Sequence, residues 1–227
     1  MSDFTWAIEQ GPLIALTGVL GLLVGSFLNV VILRLPRRLE HDWRMQAREL
    51  LGHAPADDAK APPDLVVTGS HCPTCQHKLS ALDNIPLVSW LALRGRCRYC
   101  KTKISWQYPL VELISALASA AIAWKLGFGW PLAAGLVLTW MLIAASGIDA
   151  RTQLLPDQLT LPLLWIGLLI SLVPVFVTPD AAIIGAAIGY LSLWSVYWLF
   201  KLATGKEGMG YGDFKLLAAL GAWMGAM

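Results

Sequence analysis

Three carboxylates stand against long apolar runs: Asp149 and Asp157 lie in "MLIAASGIDARTQLLPD", and Asp213 follows "GMGYG" and opens "FKLLAALGAW". An ionised group near hydrocarbon is costly enough to be a functional candidate by default. Asp213 and Asp157 also suit helix caps, since a carboxylate accepts backbone N–H groups at a helix start and favours its positive end. A cap does not explain why Gly208, Gly210 and Gly212 crowd the approach to Asp213; alternating glycines strip Cβ atoms from the turn and let another backbone come close. Asp149 closes a helix, the end where an anion is disfavoured, so a local pair with Arg151 or a partner from another helix must compensate. If that partner is Asp213, the two carboxylates share one proton. The ionised member then takes a proton from water while the protonated member donates to a carbonyl oxygen, which is metal-free amide hydrolysis.

The second chemical cluster is cysteine. Cys72 with Cys75 and Cys97 with Cys100 form two C-x-x-C pairs 21 residues apart, and they are all the cysteines in the chain. This spacing suits two knuckles presenting four thiolates to one zinc ion, with a redox dithiol pair as the competing reading. His71 and His77 flank the first pair as bystanders, because four sulfurs already close a tetrahedral shell. A closed shell has no position for substrate, so such a metal shapes the loop and the catalysis belongs elsewhere.

The elements that must carry these groups follow from composition. Of 227 residues, 56% are hydrophobic and 14% charged, too little polar surface for a soluble globule of this length. Charge-free runs over residues 13–33, 126–148, 158–179 and 181–200 each suit a helix of the roughly 20 residues that span a bilayer. A fifth span over 113–126 extends backward if Glu112 faces protein, and 214–227 makes a partial sixth. The expected fold is all-α, a polytopic helical membrane protein. It divides into a first transmembrane helix at 1–35, a polar insertion at 36–107 with a short helix near 43–51 and a flexible loop before the cysteines, and a membrane domain at 108–227 that looks cut short. The first run carries no cleavable-signal pattern. Twelve of the seventeen Lys and Arg residues lie between positions 34 and 103, so the positive-inside rule places the insertion in the cytoplasm and the amino terminus outside. The net charge of +2 gives no reason to invoke nucleic acid.

In its ordered motifs, "GSFLNVVILRLP", "CPTC", "DNIPLVSWLALRGRC", "CRYC", "ISWQYPLVE", "IDARTQLLPD" and "GMGYGDFKLLAALGAWMG", the chain resembles the bacterial type IV prepilin peptidases, membrane aspartic proteases of the GxGD class. The resemblance implies about eight spans, catalytic Asp149 and Asp213, and signature glycines Gly210 and Gly212 near substrate. It implies cleavage of type IV prepilins and type II secretion pseudopilins at the cytoplasmic face of the inner membrane, among membrane lipids. It further implies methylation of the new amino terminus with S-adenosylmethionine, located in the cysteine-bearing loop. Glu112 is then placed to bind the substrate amine or assist methyl transfer, or else to be an interfacial carboxylate paired with a loop cation. The competing classes are a proton or cation transporter using the same aspartates, for which no inverted repeat is visible, and a zinc-stabilised membrane adaptor.

Overall fold

The computed structural model describes residues 2–52, 61–66, 68–80 and 82–226, with side chains from Gln10 onward. The chain forms two compact units, Met1–Gly127 and Phe128–Met227. Among the described residues there is no strand; two isolated antiparallel bridges, His71 with Lys78 and Arg96 with Lys103, are the only extended pairings.

The first unit is built on α1 (Ser2–Leu50) and α3 (Gln107–Leu126), with a 3₁₀ turn at Leu82–Asn84 and the short α2 (Val88–Ala92) between them. α1 and α3 run antiparallel, because Gly25, Gly21 and Gly18 of α1 meet Glu112, Ser115 and Ala120 of α3 in that order. The approach is as close as two backbones allow: a Cβ on Gly21 would stand 2.5 Å from Ser119 Oγ and 2.6 Å from the Ser115 carbonyl. Small residues at a helix crossing are how apolar helices associate where the hydrophobic effect no longer drives them together. The expected separate helix near residues 43–51 does not exist; α1 continues unbroken through Pro36 to Leu50. Leu35 and Leu39 stay buried beyond the proline, Glu40 pairs with Arg44 one turn on, and the stretch is rich in strong helix formers. Part of the expected flexible loop, residues 53–60, lies outside the described residues.

The second unit comprises α4 (Trp130–Thr152), α5 (Asp157–Ser171), α6 (Pro179–Thr204) and α7 (Tyr211–Met224). α7 packs on α5 and α6, and α5 also packs on α4. Ala134, Leu163, Ala219 and Trp223 form the buried centre, with Leu138, Met141 and Leu142 of α4 against it. The Trp223 indole N–H donates to the Leu163 carbonyl at 2.9 Å, which satisfies the ring's one polar atom inside the core. α6 and α7 cross through facing glycines; a Cβ on Gly221 would lie 2.1 Å from the Gly185 carbonyl oxygen.

Gln10–Leu50, Gln107–Leu126, Trp130–Thr152 and Pro179–Thr204 are long and apolar enough to cross a membrane. The expected span over 158–179 is a correction: α5 ends at Ser171 after 15 residues, about 22 Å of rise against a hydrocarbon layer of about 30 Å. Pro174 is the reason, since a proline disfavours helical backbone in the residue before it and cannot donate to the helix. The span over 113–126 does extend back to Gln107, and Glu112 is buried at 7% exposure.

Candidate functional site

The cysteine segment folds as two copies of one knuckle, with three backbone hydrogen bonds of the first repeated 25 positions on. Cys72 N donates to the His77 carbonyl and Cys97 N to that of Thr102; Gln76 N donates to Cys72 and Lys101 N to Cys97; Leu79 N donates to Ser70 and Ile104 N to Gly95. Gln76 and Lys101, each just past its second cysteine, take left-handed backbone at φ 57° and 61°. That turn brings both thiols of a pair to one side. All four sulfurs lie within 4.8 Å of one another, and Cys72 Sγ stands 3.7 Å from Cys100 Sγ. Tetrahedral sulfurs bonded to a divalent ion at about 2.3 Å would be about 3.8 Å apart, so the four cysteines are positioned to bind a metal.

The sulfur chemistry points the same way. The Thr102 hydroxyl, 3.3 Å from Cys100 Sγ, and the Thr102 N–H hold the Cys100 thiol down to about 6. Although the His77 N–H favours its thiolate, desolvation and the other three sulfurs push Cys75 up to about 11. Four thiolates this close need a cation among them to be charged together at neutral pH. The His77 ring lies tilted against that of Tyr99, with centroids 3.6 Å apart.

Two braces hold this segment. Arg34 of α1 donates to the carbonyls of Asp64 at 2.5 Å and Thr68 at 2.7 Å, and Arg38 pairs with the Asp64 carboxylate. Asp83, its side chain 2% exposed, accepts from the Ser80 hydroxyl at 2.7 Å and from Arg98 Nε at 2.6 Å. The Ser80 hydrogen bond first and the Arg98 guanidinium second hold its carboxyl below the ordinary range, against the desolvation that opposes them. Glu112 is tied to the same loop, with Oε2 accepting the Leu87 N–H at 2.8 Å.

In the second unit Asp149 is exposed on the last turn of α4 and Asp213 is partly buried on the first turn of α7. Neither of the expected caps forms. Gly210 is the N-cap of α7 and Pro156 that of α5, which places Asp213 and Asp157 inside their helices. Asp157 instead accepts two hydrogen bonds from Lys215 Nζ, at 2.6 and 2.7 Å. Gly212 lies against Leu155, where a Cβ would come within 2.7 Å of the leucine's own. The α4–α5 connection is therefore fastened to the start of α7. Asp149 stands about 4.5 Å of helix rise before that connection, so the two aspartates belong to one end of this unit.

The turn leading to Asp213 has its own anchor. Lys201 Nζ donates to Glu207 Oε1 at 2.9 Å and to the Tyr197 hydroxyl at 3.2 Å, and the Tyr197 ring meets Tyr211 and Phe214. The Lys201 ammonium holds the Glu207 carboxyl below its ordinary range. Gly208 sits on Phe200 with no room for a Cβ.

Lys215, Leu155, Arg34 and the Asp83–Arg98 pair are site-building residues that lie within the quoted motifs but receive no role from the sequence reading.

Two family models match the chain, the Bacterial Peptidase A24 N-terminal domain over residues 19–126 and the Type IV leader peptidase family over residues 136–227. Among the relatives, the Stutzerimonas stutzeri prepilin leader peptidase/N-methyltransferase is 60% identical over 207 residues, covering 91% of this chain and 71% of its own. Proteins of the same name from Pseudomonas aeruginosa and Aeromonas hydrophila are 58% and 57% identical, covering 92% and 93% of this chain and 72% and 73% of their own. No solved structure matches significantly. With two ordered domain models and relatives of this identity along nearly its whole length, the chain belongs to the type IV leader peptidase family.

Proposed function

We propose that this protein is a prepilin leader peptidase and N-methyltransferase of the bacterial inner membrane, with Asp149 and Asp213 as its catalytic pair at the cytoplasmic face. The observation that carries the peptidase reading is the fastening of the α4–α5 connection to the start of α7, through Lys215 with Asp157 and through Gly212 on Leu155. It supports two carboxylates, distant in sequence, working on one substrate.

One aspartate, ionised, removes a proton from water as the oxygen attacks the scissile carbonyl carbon. The other, protonated, donates to the carbonyl oxygen and gives a neutral gem-diol. Collapse breaks the C–N bond, the leaving nitrogen takes the proton held by the first aspartate, and one diol proton returns to the second. Gly210, beside which a Cβ would meet nothing closer than 3.9 Å, leaves the approach free of a side chain, so an extended leader peptide can lie close to the backbone there, while Gly212 gives its space to Leu155.

The four cysteines would hold a zinc ion whose closed sulfur shell orders the loop and leaves no position for substrate. S-adenosylmethionine supplies a methyl group activated by its sulfonium. A cavity of about 330 Å³ beside the second knuckle, lined by Leu93, Arg94, Arg96, Cys97 and Lys101, offers three cations and no carboxylate. That is the wrong charge for a sulfonium and an ammonium, so this cavity does not suit the cofactor.

The test is prepilin cleavage by purified protein carrying Asp149→Asn or Asp213→Asn. Each change abolishes cleavage while the protein keeps its metal and its fold; full cleavage by either variant refutes the pair. Stripping the metal with a chelator lowers methylation more than cleavage, and both activities surviving complete metal removal would refute the structural role of zinc.

A further inference from the structure

We infer that Glu112 is a positioning residue that fastens the cysteine-bearing segment to the α1–α3 hairpin. Leu87, on the path from the 3₁₀ turn into α2, has left-handed backbone at φ 57°, a region that Cβ-bearing residues avoid. An unfavourable backbone state persists where its surroundings over-determine it. Two contacts hold it: the Val88 N–H closes on the Pro86 carbonyl around Leu87 at 2.6 Å, and from α3 Glu112 Oε2 accepts the Leu87 N–H at 2.8 Å.

Glu112 is itself immobilised. Gly25 of α1 lies directly on its Cα, with no room for a Cβ. Asn29 of α1, 1% exposed, donates Nδ2 to the Tyr108 carbonyl one turn before Glu112 at 3.0 Å. The carboxylate, on a residue 7% exposed, is held facing the loop. Beyond Leu87 the chain is stiff enough to transmit the hold. α2 follows at once, Gly95 N donates to the Trp90 carbonyl and Ile104 N to that of Gly95, and Arg98 ties the second knuckle back to Asp83. Fixing Leu87 therefore fixes where Cys97 and Cys100 stand relative to the helices.

The carboxylate acts here as an acceptor, and an amide oxygen can do the same. Were Glu112 instead the group that binds the substrate's ammonium, its charge would be indispensable and the Leu87 N–H incidental. The activity arm of the test rests on the assignment of methyl transfer to this loop; the exchange arm does not.

The experiment compares Glu112→Gln and Glu112→Ala with the parent protein in lipid nanodiscs, reading amide hydrogen exchange at Leu87, metal release to a chelator, and kcat and KM for cleavage and methylation. Glu112→Ala speeds Leu87 exchange about tenfold or more, as expected for losing a hydrogen bond to a charged acceptor. It also speeds metal release and lowers methylation kcat, with KM for the prepilin held. Glu112→Gln restores all of these to within about threefold. Unchanged Leu87 exchange in Glu112→Ala overturns the inference, as does a Gln variant that methylates as poorly as the Ala variant. Faster exchange and metal release with both activities intact supports the fastening and refutes the assignment of methyl transfer to the loop.

Discussion

Replacing Lys215 by Met and Asp157 by Asn, singly and together, tests whether the end of the second unit is held as a clamp. Lys215 Nζ reaches both carboxylate oxygens, at 2.6 and 2.7 Å, with the two side chains 27% and 51% exposed. Solvent screens a pair this open, and exposed ion pairs contribute about 0.2–1 kcal/mol. Two short hydrogen bonds to one ammonium put it at the upper end, about 1 kcal/mol, or roughly fivefold in an equilibrium. The effect on catalysis is larger than that on stability, because Lys215 is two residues from Asp213 and Asp157 ends the connection that follows Asp149. Misplacing reacting groups by about 1 Å can cost about a hundredfold in rate. Either single variant is therefore expected to lose about 1 kcal/mol of stability in detergent and at least about tenfold in prepilin cleavage. The double variant is expected to be no worse than the poorer single one. Thermal unfolding and cleavage kinetics on the four proteins close the cycle. Losses that add to within about 0.3 kcal/mol show that the two residues act independently, and unchanged cleavage in both single variants removes the clamp from the catalytic argument.

Gly221→Ala places a Cβ 2.1 Å from the Gly185 carbonyl oxygen. Backbone cannot move aside as a side chain can, so the α6–α7 pair should lose about 3 kcal/mol, read as a lower unfolding temperature in detergent with Gly221→Ser no better. The Asp83–Arg98 bridge makes a pH-dependent contribution whose sign is fixed by its depressed carboxyl value. The stabilisation is complete above the ordinary carboxylate range, near about 4, and is lost as pH falls through the lower folded value. Asp83→Asn should raise the proteolysis rate of residues 82–104 about tenfold over wild type at pH 7, and the ratio of the two rates should fall as pH drops below about 4. A ratio independent of pH would show that Asp83 acts only as a neutral acceptor.

The cysteine cluster was legible because two C-x-x-C pairs restrict the backbone so strongly that spacing alone predicts convergence, and the structure brings all four sulfurs together. The all-helical membrane character followed from apolar runs whose lengths exceed what a soluble core requires. Helix ends were read less well, and proline misled in both directions. Pro36 reads as a boundary, yet α1 passes through it because Leu35 and Leu39 remain packed. Pro174 reads as part of an apolar run, yet it stops α5. Asp157 read as a cap because the pattern around it is local; its real partner, Lys215, is 58 residues away. Glu112 with Leu87 was invisible for the same reason, since no local rule says which loop amide will arrive beneath a helix. The proposal of Asp149 and Asp213 as a pair came from apolar context and glycine spacing, while the fastening between their helix ends depends on Leu155 and Lys215, whose residue types alone suggest no such role.

The 49 residues of α1 form one rod about 73 Å long, more than twice the thickness of the oily layer it enters. Its inner half is locked to α3 by bare glycines, and Arg34 and Arg38 hold residues 64–69 farther along it. A push on the far tip reaches Gly25 and Glu112 through Pro36, the one place on that path where the helix lacks a backbone N–H. Whatever docks on the protruding part of the rod can bear mechanically on the loop's mooring point without touching it.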